Sequence, residues 1–153
     1  MGSAGVTPVR KPAAITAAEF ETIMLEGLPQ AKAMGVRVDV LEHGFCRARL
    51  PVTDFMIRPG GTISGPTLFA MADLALYGAV LSIIGAVPLA VTSQMSINFL
   101  RKPGLVDLIA ESRILRAGKR LAFGDVTLYS DGDAEPVAHA SGSYAIPSPK
   151  VAP

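Results

Sequence analysis

The chain has little cysteine, little histidine and little excess charge. Its 153 residues include one cysteine, Cys46, which excludes an intrachain disulfide, and two histidines, His43 and His139. Fourteen basic and 13 acidic residues leave a formal net charge of +1, which provides no broad field to attract nucleic acid or an anionic membrane. The first 20 residues lack the apolar core of a secretory signal, so we expect a cytoplasmic protein that binds no nucleic acid.

Several functional motifs are also missing. No group of His, Cys, Asp and Glu has the spacing of a metal site, and no glycine fingerprint follows a predicted strand, which excludes the P-loop and Rossmann classes. Ser64 does not lie in a Gly-x-Ser-x-Gly motif, and His43 and His139 fall in a turn and on the last predicted strand, which argues against a Ser-His-Asp hydrolase. We therefore expect neither a metal nor another cofactor.

One run, residues 67–91, is apolar enough to suggest a membrane span. Asp73 would lie in the hydrocarbon at a cost of roughly 2.5–3.5 kcal/mol, and Pro88 interrupts the run. The rest of the chain alternates like amphipathic strands. We therefore predict that this run is a buried core helix and that the protein has no membrane partner.

The spacing of apolar residues predicts two helices and six strands. Thr16 and Glu19 form a capping-box pattern ahead of helically spaced apolar residues. Pro66 suits the first turn of a longer helix, and Gly85 lies just past its end. Alternation with period two predicts the strands. The predicted helices span residues 17–28 and 66–84, and the predicted strands span residues 36–40, 45–52, 90–100, 105–116, 121–130 and 136–146.

These elements predict one α+β domain over residues 16–147, between flexible tails at residues 1–15 and 148–153. The connections are too short for parallel crossovers, so the sheet should be antiparallel. The long helix is apolar on every face, as expected of a helix that is buried on most sides. A curved antiparallel sheet wrapped around a long central helix meets both conditions.

Two residues of the long helix are candidates for chemistry. Asp73 is a candidate base or nucleophile, or alternatively a structural carboxylate hydrogen-bonded to Tyr77 or to a partner chain. The Gly65 N–H lies at the positive end of the helix dipole and is a candidate oxyanion donor, or alternatively the glycine only makes the turn. The two residues are eight positions apart and therefore roughly 12 Å apart along the helix axis. One carbonyl cannot contact both within a subunit, so it would meet Gly65 of one subunit and Asp73 of another at a two-fold interface.

Three segments carry a resemblance to a known family: GTISGPTLFAMAD, AVTSQMSINFLRKPG and AESRILRAGKRLAFGDVTLYSDG. Over about residues 33–147 the chain resembles the hotdog-fold acyl-CoA thioesterases of the phenylacetic-acid-degradation type. In that family an Asn or Gln precedes a His-Gly-Gly motif, and an Asp or Glu follows nine residues after the His. Gly65 matches the first Gly of the motif and Asp73 matches the carboxylate, whereas Ser64, Pro66 and Arg58 stand where His, the second Gly and Asn or Gln are usual.

The resemblance implies hydrolysis of an acyl-CoA to a free acid and CoA. The Gly65 N–H would polarise the thioester carbonyl and Asp73 would activate water or attack directly, with Ser64 and Tyr77 as orienting groups. The residues that would contact the acyl or pantetheine part are Arg58 and Thr62. The acyl pocket would be shaped by Phe69, Val80 and Met95.

The resemblance also implies a CoA-binding role for basic residues in two turns, for which ordinary solvated charge is the alternative. These residues are Arg101, Lys102, Arg116, Lys119 and Arg120. We expect a homodimer or a dimer of dimers. The alternative function is a non-catalytic hotdog protein that binds an acyl-CoA or a carboxylic acid, which Arg58 favours because a guanidinium suits a free carboxylate.

Overall fold

The computed structural model describes residues 11–149. The predicted tails, residues 1–15 and 148–153, lie largely outside the described residues. At the end of the first of them, the Ala14 N–H donates to the carbonyl of Ser82 at 2.8 Å, and Ile15 is buried in the core.

The described chain contains three helices and eight strands. The helices are α1 (Ala17–Gly27), α2 (Pro29–Met34) and α3 (Gly65–Ile84). The strands are β1 (Arg37–Glu42), β2 (Phe45–Leu50), β3 (Ile57–Arg58), β4 (Thr62–Ile63), β5 (Val91–Phe99), β6 (Leu108–Ala117), β7 (Leu121–Ser130) and β8 (Pro136–Ala145). A single 3-10 turn, Asp54–Met56, precedes β3.

Six strands form one antiparallel sheet in the order β1-β2-β6-β7-β8-β5, and β3 pairs with β4 in a separate ribbon. α3 packs across the concave face of this sheet. Its Leu76 lies against Gly124 of β7 and Gly142 of β8, where the missing side chains let the helix approach closely. The predicted α+β architecture, a curved antiparallel sheet around one long helix, is therefore confirmed.

The capping box of α1 forms as predicted, with the Glu19 N–H donating to Thr16 Oγ1 at 3.1 Å. The helix ends at Gly27 because Leu28 is extended ahead of Pro29, which begins α2. α2 ends at Gly35, whose φ of 77° is the left-handed conformation that glycine adopts without strain. The short α2 and the β3–β4 ribbon were not predicted, since neither is long enough to show a period.

α3 begins at Gly65, one residue before the predicted start, because Ser64 caps it. By length and composition it could cross a membrane, with a mean hydropathy of 1.9 over 18 residues, but 67% of that window is buried inside the protein. Burial against the sheet therefore accounts for its apolar composition. β6 begins at Leu108 rather than at residue 105. The Gly104 N–H donates to the Ser130 side chain, and residues 105–107 are not part of the strand.

Candidate active site

Asp73 lies midway along α3 on the side that faces β5 and β8. Two hydroxyls donate to the same carboxylate oxygen, Oδ1: Thr92 Oγ1 at 2.7 Å and the Tyr144 hydroxyl at 2.5 Å. The Tyr144 hydroxyl also lies 3.1 Å from the Asp73 carbonyl. The other carboxylate oxygen, Oδ2, accepts no hydrogen bond from residues 11–149. The side chain is therefore fixed through one oxygen, while the other is available to a ligand.

Tyr144 is itself held by its surroundings. Burial raises the pKa of its phenol, and the negative charge of Asp73 raises it further, so Tyr144 remains a protonated donor at neutral pH. Its ring stacks on that of Tyr77, with centroids 5.7 Å apart and planes at 8°. The hydrogen bond between Tyr77 and Asp73, one of the alternatives that the sequence left open, does not form: the Tyr77 hydroxyl donates to the Pro88 carbonyl at 3.1 Å. Tyr77 supports the site through this stack.

The first turn of α3 has one N–H without an internal partner. The Thr67 N–H donates to Ser64 Oγ at 3.4 Å, the Leu68 N–H donates to the Ser64 carbonyl at 3.2 Å, and Pro66 has no N–H. The N–H of Gly65 donates to no group among the described residues. An unpaired N–H at the positive end of a helix dipole is suited to bind an oxyanion.

Ser64 has a structural role at this point. Its extended conformation, φ −70° and ψ 151°, makes it the N-cap of α3, and its hydroxyl lies 2.8 Å from Thr67 Oγ1. Its side chain is thus engaged with the helix start, which positions the Gly65 N–H. The ring of Phe99 covers Gly65: a Cβ at that position would lie 3.4 Å from the ring.

Several open depressions adjoin these groups, and two of them are lined by Gly65. The larger, about 720 Å³, lies beside Gly65 between the β3–β4 ribbon and the segment that follows β5. Besides Gly65, five predicted site residues line it: Arg58, Thr62, Ser64, Arg101 and Lys102. The smaller, about 580 Å³, runs along α3 and is lined by Gly65, Phe69 and Asp73 among others. The candidate groups therefore lie along one continuous side of α3.

The other predicted residues lie elsewhere. Val80 is fully buried in the core, and Met95 packs against the core from β5. Three basic residues are exposed at or beside the β6–β7 turn: Arg116, Lys119 and Arg120. This turn extends past the end of the sheet at which Thr92 and Tyr144 lie. Cys46 is fully buried, and burial raises the pKa of its thiol to about 12, as expected for an inert core residue.

The described residues 11–149 contain no group of three or more His, Cys, Asp and Glu side chains that could hold a metal ion. His139 lies on the outer face of the sheet, 3.2 Å from Asp125, and so on the face away from α3. Among the described groups, the chemistry near α3 rests on the Asp73 carboxylate, its two hydroxyl donors and the Gly65 N–H.

The sheet, the helix and this arrangement of groups define a hotdog-type protein. The sequence profile of the thioesterase superfamily matches residues 60–137, and a "Putative esterase" from Saccharolobus solfataricus is 30% identical over 113 residues, 74% of each chain. The chain belongs to the thioesterase superfamily.

Solved structures agree with this assignment. The structure of a "putative thioesterase" from Silicibacter sp. TM1040 is similar to this chain with 38% identity and a TM-score of 0.81, over 89% of this chain and 94% of the other. The PaaI protein from the phenylacetic acid degradation operon of E. coli is similar with 26% identity and a TM-score of 0.74, over 86% and 94% of the two chains. Together these matches support a hydrolase-like function.

Proposed function

We propose that the protein is a homo-oligomeric thioesterase that hydrolyses an acyl-CoA, with each active site formed by two subunits. The observation that carries this proposal is the Asp73 carboxylate, which two hydroxyls fix through Oδ1 while Oδ2 has no partner among the described residues. The unpaired N–H of Gly65 supplies the second requirement of acyl transfer, a donor for the developing oxyanion.

The edge of the sheet supports a site between subunits. β5 pairs with β8 on one side and has no strand on its other side among the described residues. Apolar side chains on and beside this edge are exposed, including Val91 at 59% and Leu100 at 56%. An exposed, apolar edge strand is a template for pairing with a second chain. A two-fold dimer through β5 would complete the sheet and bury these residues.

Such a dimer would bring the two candidate groups together. Thr92, which binds Asp73, lies near the start of β5, while Phe99, which covers Gly65, is its last residue. Antiparallel pairing of β5 with its own copy about Met95 would set the start of one strand beside the end of the other. Asp73 of one subunit would then approach Gly65 of the second, which the roughly 12 Å between them along one helix prevents within a subunit.

In this site the Gly65 N–H would donate to the thioester oxygen, and Asp73 Oδ2 would accept a proton from water. The water oxygen bonds to the carbonyl carbon, the C–S bond breaks, and the thiolate of CoA takes the proton back from Asp73. Direct attack by Oδ2 on the carbonyl carbon would instead break the C–S bond, release the CoA thiolate and give an anhydride that water then cleaves. Thr92 and Tyr144 hold the carboxylate in place in either route.

A non-catalytic protein that binds an acyl-CoA or a carboxylic acid is the second candidate. It is favoured by Arg58, which lines the larger depression together with Gly65 and forms no ion pair with a carboxylate of residues 11–149. A free guanidinium is suited to hold a carboxylate product or ligand.

Thiol release from a panel of short, long and aromatic acyl-CoAs tests the proposal. We expect Asp73→Asn to lose at least a hundredfold in kcat, as for removal of a general base, and Tyr144→Phe to lose less because the carboxylate and Thr92 remain. Asp125→Asn, on the outer face of the sheet, is the matched control. Binding without turnover by the wild type would favour the second candidate, and equal rates for wild type and Asp73→Asn would exclude Asp73 from catalysis.

A further inference from the structure

The larger depression has an unbalanced charge. Three of its lining residues are cations, Arg58, Arg101 and Lys102, and no aspartate or glutamate lines it. The walls between them are apolar, formed by residues such as Ile63, Leu68, Phe99, Leu100 and Pro103. A cavity of this composition is suited to a ligand with an apolar body and a negative group.

The three cations are not equivalent. Arg101 is already neutralised, because its guanidinium lies 2.8 Å from Asp133 and 2.9 Å from Glu135. The hydrogen bond from the Glu135 N–H and the charge of Arg101 keep the pKa of Asp133 below its usual range, so this pair is ionised at neutral pH. Arg58 and Lys102 pair with no carboxylate in the described part of the chain, and of these two only Arg58 has the planar fork that matches a carboxylate. Its charge is therefore available to a ligand.

The backbone of Arg58 is fixed close to the oxyanion donor. Arg58 pairs with Thr62 across the β3–β4 ribbon, and the Gly61 N–H closes the turn by donating to the Arg58 carbonyl at 3.1 Å. The ribbon is tied at both ends, by the Ser64 N–H to the Met56 carbonyl at 2.8 Å and by the Thr62 hydroxyl to the Pro103 carbonyl at 3.2 Å. The guanidinium is thus attached to a rigid support that leads directly into Gly65.

We infer that Arg58 binds a free carboxylate at the far end of the acyl group, and that the preferred substrates are CoA thioesters of dicarboxylic acids. This inference rests on the proposed thioesterase function. A thioester carbonyl is neutral and is served by an N–H donor, whereas the fork of an arginine matches a carboxylate in geometry and charge. The apolar walls would hold the methylene chain between the two ends of the acyl group.

The experiment compares adipyl-CoA with hexanoyl-CoA, which have the same chain length and differ in the terminal carboxylate. We expect the wild type to prefer adipyl-CoA by roughly tenfold or more in kcat/KM, as for one charge-assisted hydrogen-bonded pair. Arg58→Gln should abolish this preference by slowing adipyl-CoA alone, and Arg58→Lys should retain part of it. Arg37→Gln removes one charge from β1, at the opposite edge of the sheet from β5, and serves as the control.

Arg58 could instead contact the phosphates of CoA. Thioesters of N-acetylcysteamine lack these phosphates and therefore distinguish binding of the acyl carboxylate from binding of CoA. If Arg58 binds the acyl carboxylate, the preference for the adipyl ester persists on this carrier and is again lost in Arg58→Gln. An equal loss for both CoA esters in Arg58→Gln, with no loss on the phosphate-free carrier, would assign Arg58 to CoA and overturn the inference.

The inference can be tested even if the wild type hydrolyses neither these esters nor any acyl-CoA of the wider panel, a result that would reject the proposed function. Calorimetric binding of adipyl-CoA and hexanoyl-CoA then replaces the rate measurement. Tighter binding of adipyl-CoA that depends on Arg58 would support a carboxylate site without turnover. Equal affinity of the two esters would overturn the carboxylate site as well.

Discussion

Gly65 combines two properties that a single substitution can separate: an unpaired N–H and the absence of a side chain beneath Phe99. Gly65→Pro removes the N–H. The extended backbone of Ser64, with ψ 151°, accepts a following proline, and proline is tolerated at the first position of a helix. We expect Gly65→Pro to lower kcat by about 10²–10³, the usual effect of deleting one oxyanion donor.

Gly65→Ala is the matched variant, because it retains the N–H and adds a Cβ 3.4 Å from the Phe99 ring. It should lose far less activity than Gly65→Pro. Steady-state kinetics of both variants, with thermal unfolding to confirm that α3 forms, provides the measurement. Similar losses in the two variants would show that space at residue 65, rather than its N–H, limits the reaction.

The residues of the site differ in how far the sequence could predict them. Asp73 and Gly65 were found from sequence because each is conspicuous on its own: a carboxylate in an apolar helix and a glycine at a helix start. Thr92 was missed because strict alternation from Met95 and Ile97 places it on the outer face of β5. A bulge between Thr92 and Gln94 reverses that alternation and turns Thr92 toward Asp73.

At the scale of elements, α1 is docked on α3 through a close contact at Gly78. A Cβ at this position would lie 2.7 Å from Cys46 Sγ and 2.8 Å from the Phe20 ring, and both side chains are fully buried. Gly78→Ala therefore overpacks the junction of α1, α3 and β2. The cost of about 1–3 kcal/mol exceeds the gain of about 1 kcal/mol in helix propensity, so we expect a net loss of stability.

Denaturant unfolding of Gly78→Ala beside Gly27→Ala measures this effect. Gly27 lies in the last turn of α1 with nothing within 4 Å of its Cβ position, so alanine there should be neutral or stabilising by less than about 1 kcal/mol. A Gly78→Ala protein as stable as the wild type would mean that Phe20 and Cys46 can move apart without cost.

Elements that repeat their apolar pattern over many residues were predictable, whereas elements whose position depends on tertiary contacts were not. α3 and the six strands of the main sheet each repeat their pattern over enough residues to be read from sequence. The β3–β4 ribbon has two residues on each side, and its position depends on hydrogen bonds to Met56 and Pro103 rather than on alternation. The late start of β6 has a similar cause, the side-chain hydrogen bond of Ser130 to Gly104.

At the scale of the whole molecule, the open edge at β5 and the separation of Gly65 from Asp73 lead to the same expectation, an active site that one subunit cannot complete. Mixing two inactive variants tests it directly. A dimer of one Gly65→Pro subunit and one Asp73→Asn subunit would contain one site with both changes and one site with neither. If each site takes Gly65 from one subunit and Asp73 from the other, activity returns on mixing.

The size of the rescue is set by subunit statistics. After subunit exchange in equal amounts, half of the dimers are mixed and each has one intact site of two, so we expect about a quarter of the wild-type activity per subunit. Sedimentation would verify that both variants remain oligomeric, and each variant alone provides the baseline. Complete exchange without any recovered activity would place Gly65 and Asp73 in the same subunit's site and leave the exposed edge of β5 without a catalytic role.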